Sequence, residues 1–291
     1  MLRLPGPLTD ADLDHFVRKG YVYLQNAIEP QIAREWGDAA YLRLGYDPND
    51  NSTWEKERLH MPARKHLPVA EIAPKAWEAI VQLSGGEDRI LHPAMWGDAF
   101  IANFGERANE DWMPAGPNCP GWHKDGDFFL HFLDSPEQGL LVIPLWTDVV
   151  HMGGPTYIAP DSIEVMARYL ADRPEGVLPN GFDFRERIRE CSEFTEATGK
   201  QGDVYILHPY MLHAVSQNVL RAKRVITNPP LALAEPMKFY REDNAYSPIE
   251  QAVLHALGVQ SLDFKATKPR ERLVPGSQKA RDEAAKLEVK R

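Results

Sequence analysis

Cysteine is nearly absent: the 291 residues contain two, Cys119 and Cys191. Two lone thiols build no disulfide framework and fit a reducing compartment, so a cytoplasmic protein is expected, with both residues read as small packing groups. Positive charge is also short, because 33 Lys and Arg stand against 42 Asp and Glu, for a formal net charge of -9. Without a basic face, nucleic acid is disfavoured and a small molecule becomes the expected partner, with a homodimer left open. No apolar run is long enough to span a bilayer, and the opening Met1-Leu2-Arg3-Leu4-Pro5-Gly6-Pro7 lacks the apolar stretch of a secretory leader, so no membrane association is expected. The last residues, Glu288-Val289-Lys290-Arg291, carry no short targeting address, and the chain has no internal repeat.

What is present suffices for a substantial core: 43% of residues are hydrophobic and 10% aromatic. A single domain over 1–291 is expected. Its front, 1–90, reads as helical. Thr9 before Asp10 and Asp12, with Arg18-Lys19 and then Gly20, marks one complete short helix. Tyr21–Leu24 follows as a strand, Pro30 opens a helix ending near Gly45, 46–70 is polar and irregular, and a third helix covers Ile72 to Leu83. From about 91 to 233 short apolar runs alternate with Gly, Pro and Asp. Strands are expected at 100–104, 128–133, 140–146, 156–159, 203–207, 212–216 and 225–232, with one helix at 161–172. This makes a mainly β protein with flanking helices, of sandwich or barrel type. The rest, 234–291, holds a helix capped by Ser247, Pro248 and Glu250 and stopped at Gly258, then a polar, solvated tail from Lys265 with a terminal helix.

Two polar clusters carry the chemistry. The first is Gly121-Trp122-His123-Lys124-Asp125. Residues i and i+2 of an extended segment project to one side, so His123 and Asp125 can share an ion while Lys124 points away. Such a His-x-Asp triplet arises by chance about once in a chain of this composition, and in isolation it reads equally well as a surface turn. The second cluster is His213, with Asn218 five and Arg224 eleven residues on. That spacing is expected by chance on the order of 0.02 times. Together His123, Asp125 and His213 supply two imidazoles and one carboxylate, a set that holds Fe(II) on one face and leaves the other positions open. Arg224, flanked by Val225-Ile226-Thr227, reads as a core-facing arginine whose planar fork suits the far carboxylate of a small dicarboxylic acid. A hairpin turning at 219–223 would bring His213 and Arg224 together, with Arg224, Ile226 and Asn228 on one face. His208 is the strongest rival ligand, but it lacks the downstream Asn and Arg and is read as packing; His131 and His151 likewise.

These residues resemble the phytanoyl-CoA dioxygenase family of Fe(II)- and 2-oxoglutarate-dependent oxygenases. The resemblance rests on Leu8-Thr9-Asp10 with Gly20-Tyr21-Val22, His123-x-Asp125, the turn Gly153-Gly154-Pro155-Thr156, and the series His213, Asn218, Arg224. It implies a double-stranded β-helix core, a cupin-like jelly roll, with His123, Asp125 and His213 as metal ligands. Arg224 would bind the C5 carboxylate of 2-oxoglutarate with Thr156 as its helper. By the same resemblance, Fe(II), 2-oxoglutarate and O2 would serve to oxidise, most often hydroxylate, a small organic metabolite with release of succinate and CO2. The chain departs from the pattern in two places. Pro160-Asp161-Ser162-Ile163 stands where relatives often carry Pro-Gly-Ser-His, and Pro120-Gly121-Trp122 where many carry a glutamine, which leaves Asn103 as the candidate for the C1 carboxylate. The acid at Asp125 disfavours halogenation, whose enzymes place a small residue there. The loop 109–120, with three prolines, is expected to act as a partly rigid lid over the metal. A zinc hydrolase with the same ligands, or a non-catalytic ligand-binding barrel, are the readings from other classes.

Overall fold

A computed structural model describes residues 1–275 of the chain; the expected terminal helix lies outside the described residues. Helix α1, Asp10–Lys19, forms as its punctuation predicts. The Thr9 side chain accepts from the Asp12 amide while Asp12 reaches back to the Thr9 amide, and Gly20 closes the helix in the left-handed conformation at φ 71°. The other helices are α2 (Pro30–Leu42), α3 (Val69–Ile72), α4 (Pro74–Ser84), α5 (Ser162–Ala171), α6 (Phe184–Arg187) and α7 (Pro248–Leu257). The single helix expected over 72–83 is therefore two. Ala73 lies at φ -147° because a residue preceding proline is pushed out of the helical region, and Pro74 restarts the helix. Among the described residues no helix is long and apolar enough to cross a membrane.

Strands are short: β1 (Tyr21–Leu24), β2 (Arg58–His60), β3 (His66–Pro68), β4 (Met95–Gly97), β5 (Ile101–Asn103), β6 (Leu140–Pro144), β7 (Thr156–Ala159), β8 (Thr195–Ala197), β9 (Val204–Leu207), β10 (Leu212–Val215), β11 (Val225–Ile226) and β12 (Pro230–Leu231). They form antiparallel sheets in the orders β1-β9-β6-β12, β10-β7-β8, β11-β5-β2 and β3-β4. Single bridges extend them: Leu145 to Ile226 joins the first sheet to the third, and His123 to His213 adds the first polar cluster to the edge of β10. Apolar side chains of β6 and β9 are buried on both faces, and a fully buried side chain of this size contributes roughly 1.5–3 kcal/mol. Helices α1, α5 and α7 pack together and α4 joins α7, so the helical front and the late capped helix form one flank.

Four expectations are overturned. The segment 46–70 is not wholly irregular but supplies β2 and β3. The strand expected at 128–133 does not form; Phe129 and His131 make only single bridges, to Arg272 and Val177. The tail from Lys265 is not free up to 275, because Glu271 and Leu273 bond to the backbone of Leu130 and Phe128 and Arg270 pairs with Asp134 at 2.7 Å. The hairpin expected to link His213 and Arg224 is also absent. Strand β10 pairs with β7, whereas β11 pairs with β5 in another sheet, and the run expected at 225–232 breaks between Ile226 and Pro230. The chain between them crosses from one sheet to the other.

Candidate metal centre and anion slot

The crossing leaves a cavity of about 310 Å³ lined from both sides. Thr156 of β7 and His213 and Val215 of β10 face it from one sheet; Arg224, Ile226 and Ile101 from another; Leu141 and Ile143 of β6 add an apolar wall. His123 and His213 exchange both backbone hydrogen bonds, at 3.0 and 2.9 Å. Directly opposed residues of an antiparallel pair project to the same face, which brings their ring centroids to 4.3 Å. Asp125, two residues on, falls on that face too. Its Oδ1 lies 3.4 Å from the Nε2 of each histidine, and the three ligating atoms are within 4.8 Å of one another.

Outer contacts aim these groups inward. The Gly121 carbonyl accepts from His123 Nδ1 at 2.8 Å and the Met211 carbonyl from His213 Nδ1 at 3.1 Å, which leaves both Nε2 atoms free to bind a metal. Asn228 donates to Asp125 Oδ2 at 2.8 Å. Burial alone would raise the Asp125 carboxyl, but the two imidazoles outweigh it and hold the group well below the usual carboxylate range. His123 is pulled the other way: burial lowers it, and Asp125 more than compensates. Lys124 does point away. It is buried with its Nζ 2.9 Å from His131 Nδ1 and near the rings of Phe129 and Phe182, and burial pushes it down to about 7. His208 is fully buried with its Nδ1 accepting from the Tyr210 amide, and His151 pairs with Glu196, so neither joins the cluster.

Arg224 is only 2% exposed, and among the described residues it has no carboxylate partner. It donates to three neutral oxygens: the Gly154 carbonyl at 2.8 Å, Thr156 Oγ1 at 2.9 Å and the Ile101 carbonyl at 3.2 Å. Burial, then the charge of Arg58, lowers it to about 9. Gly154 adopts φ +84°, and a side-chain carbon there would meet the Asn103 amide at 2.9 Å. Asn218 acts at a distance from the cavity: its side chain bonds to the Asn103 carbonyl and to both backbone groups of Ala222, which sets the turn that delivers Arg224.

The fold thus gathers His123, Asp125, His213, Arg224 and Thr156. Asn103 is not brought to the cavity. It is fully buried, donating to the Ser216 carbonyl and accepting from the Gly105 and Glu106 amides, so its amide is already committed to the backbone. The loop 109–120 is tied to its surroundings by side-chain hydrogen bonds. Gln217 bonds to both Asp111 and Met113, Tyr157 to the Met113 carbonyl and Trp122 to the Gly116 carbonyl. Of the neighbouring positions, Gly121 alone is among the cavity's lining residues. Arg58 and His60 were not anticipated, and both line the cavity from β2. Their signal was the polar-apolar-polar alternation of Arg58-Leu59-His60 inside a stretch read as irregular. Burial first, then Arg58 and Arg224, keep His60 below its usual range, so it faces the cavity as a neutral imidazole at neutral pH.

No family model matches this chain, and no curated protein matches it. Solved structures do overlap with it. EctD from S. alaskensis, crystallised with 2-oxoglutarate and 5-hydroxyectoine, shares 14% identity over 80% of this chain and 78% of its own, at a TM-score of 0.42. The non-heme alpha ketoglutarate dependent carbocyclase SnoK from nogalamycin biosynthesis shares 12% over 92% and 97%, at 0.43. HygX from Streptomyces hygroscopicus, with nickel and 2-oxoglutarate bound, shares 13% over 79% and 88%, at 0.42. At these identities and scores, what this chain binds has to come from its own residues.

Proposed function

We propose that this protein is an Fe(II)- and 2-oxoglutarate-dependent dioxygenase of the phytanoyl-CoA dioxygenase type, which oxidises a small organic metabolite, most simply by hydroxylation, with release of succinate and CO2. In this reading 1–291 is a single catalytic domain and the sheets around the cavity form a double-stranded β-helix over about 91–233. One observation carries it: a buried guanidinium without a protein carboxylate opens on the same cavity as two imidazoles whose Nε2 atoms converge on Asp125. The donor set fits Fe(II), because mixed nitrogen and oxygen ligands on one face suit that ion and leave positions for a chelating keto acid. Bound iron would supply the redox chemistry that consumes oxygen and 2-oxoglutarate. The chain's part is to hold and to exclude. His123, Asp125 and His213 grip the metal, Arg224 and Thr156 take the distant carboxylate through charge-assisted hydrogen bonds, and Leu141, Ile143 and Ile226 keep the cavity wall dry.

A zinc hydrolase built on the same ligands would give Arg224 no task, and it would need a general base. Among the described residues no carboxylate lines the cavity, so His60 would have to be that base. The deciding experiment is anaerobic. Fe(II) with 2-oxoglutarate should give a weak visible charge-transfer band that His213→Ala abolishes. No band, with tightly held zinc instead, would defeat the oxygenase reading.

A further inference from the structure

The sheet β11-β5-β2 presents two rows of residues across its strands. Arg224 leads to Asn103 and then to Arg58, and Ile226 leads to Ile101 and then to His60. Arg58 and His60 of the edge strand line the same cavity that Arg224 closes from within, whereas the Asn103 side chain between the two arginines is taken up by the Ser216 carbonyl. Two strand spacings separate the arginines, roughly 10 Å of sheet. Their settings differ: Arg224 is 2% exposed, whereas the Arg58 side chain is 37% exposed and sits at the mouth. Among the described residues the one carboxylate within 4 Å of the Arg58 guanidinium is that of Glu106, with Nε to Oε2 at 3.8 Å, beyond hydrogen-bond distance. The guanidinium N–H groups therefore have no hydrogen-bond acceptor among the described residues.

Charge balance gives this arginine a task, on the condition that the dioxygenase reading holds. The two charges of a bound dicarboxylate and the one of Asp125 offset the two of the metal ion and the one of Arg224. Arg58 remains at the cavity mouth with Glu106 as its ion-pair partner at 3.8 Å but with no hydrogen bond to it, beside a neutral imidazole able to donate a hydrogen bond. We propose that Arg58, flanked by His60, is a second anion-binding position, and that the substrate of this enzyme is an organic anion of the carboxylate class held there by its charged end. A planar fork at the mouth would fix that end and direct the rest of the molecule along the wall of Leu141, Ile143 and Ile226 toward the metal ligands.

The test is calorimetric titration of the full chain, loaded with Mn(II) and saturated with 2-oxoglutarate, using benzoate and its neutral isostere benzamide as probes. Wild type should bind benzoate roughly tenfold or more tighter than benzamide. Arg58→Gln should lose that preference and Arg58→Lys keep part of it, both retaining 2-oxoglutarate affinity within about twofold. Because Arg58 lies on a half-exposed edge strand, neither change should disturb the fold, which thermal melting checks. Equal binding of the two probes by wild type, or a preference that survives Arg58→Gln, overturns the inference. So does a tenfold loss of 2-oxoglutarate affinity in Arg58→Gln, which would assign the residue to the co-substrate. Failure of the dioxygenase reading looks different: 2-oxoglutarate then does not bind in a manner sensitive to Arg224→Gln. The probe comparison is in that event run in the Arg224→Gln background, where a benzoate preference lost with Arg58 supports the anion position and its absence overturns it.

Discussion

His213 and His123 face each other across one backbone pair, yet they stand on different foundations. His213 lies in β10, paired along its length with β7 and 6% exposed. His123 lies in an irregular segment attached to β10 by a single bridge, with 46% of its side chain exposed. What holds the second region is a set of side-chain staples: Asn228 on Asp125, Gln217 on 111 and 113, and Trp122 on Gly116. The centre thus joins a ligand fixed by sheet pairing to two on a segment held by one backbone bridge and by side-chain contacts. Order in the second region has to be maintained by contacts that mutation can remove singly, whereas order in the first is cooperative.

Asp125→Ala breaks the contrast most severely, because it removes the atom on which both imidazoles converge. Metal affinity by calorimetry should fall by more than the roughly 10–100-fold that loss of an outer partner costs. Arg224→Gln acts on the sheet side alone. It should weaken 2-oxoglutarate roughly 100-fold while leaving metal affinity within about twofold, and an equal loss of both would mean the two regions are not separable. Asn228→Leu removes a staple without touching a ligand, and metal affinity should drop about tenfold.

The foundation of β10 can be probed by pH. His208, at the end of β9, is fully buried and neutral, with its ring held down to about 3 by burial. The unfolded chain takes up a proton on this residue near 6.5 and the folded chain does not. Its contribution to stability is therefore complete above pH 6.5 and is lost as pH falls from 6.5 toward 3, by roughly 1.4 kcal/mol per pH unit. In His208→Gln the denaturation midpoint should vary less over that window; an unchanged slope would remove His208 from the account. Gln217→Leu should have the smallest effect, about 1 kcal/mol in global stability. Amide exchange at Met113 should quicken while that of Leu212–Val215 stays protected, and quickening in both would contradict the division.

The limits of sequence reading follow the same division. Helices α1 and α7 were legible because capping and termination are local, requiring only Thr9 with Asp12, Ser247 with Glu250, and glycines at 20 and 258. The strand expected at 128–133 failed because an apolar run does not state its pairing partner, and its backbone went to Val177 and to the chain's late segment instead. Asn103 looked like a free polar group, but its amide was claimed by residues up to 113 positions away. Arg58 and His60 were hidden for the converse reason: three residues of alternation are too short to identify a strand until β5 supplies its partner.

By itself the sequence determined the chemistry on offer: two imidazoles, a carboxylate and an arginine, with the ends of the helices that flank them. Local spacing is enough for that, because capping and the two-residue repeat act over a few bonds. Tertiary structure decided where that chemistry meets. It set His213 and Arg224 in different sheets rather than one hairpin, turned Asn103 inward and brought Arg58 to the cavity mouth. Strand partners are chosen by burial and backbone pairing across the whole chain, and that choice is not written in any one segment.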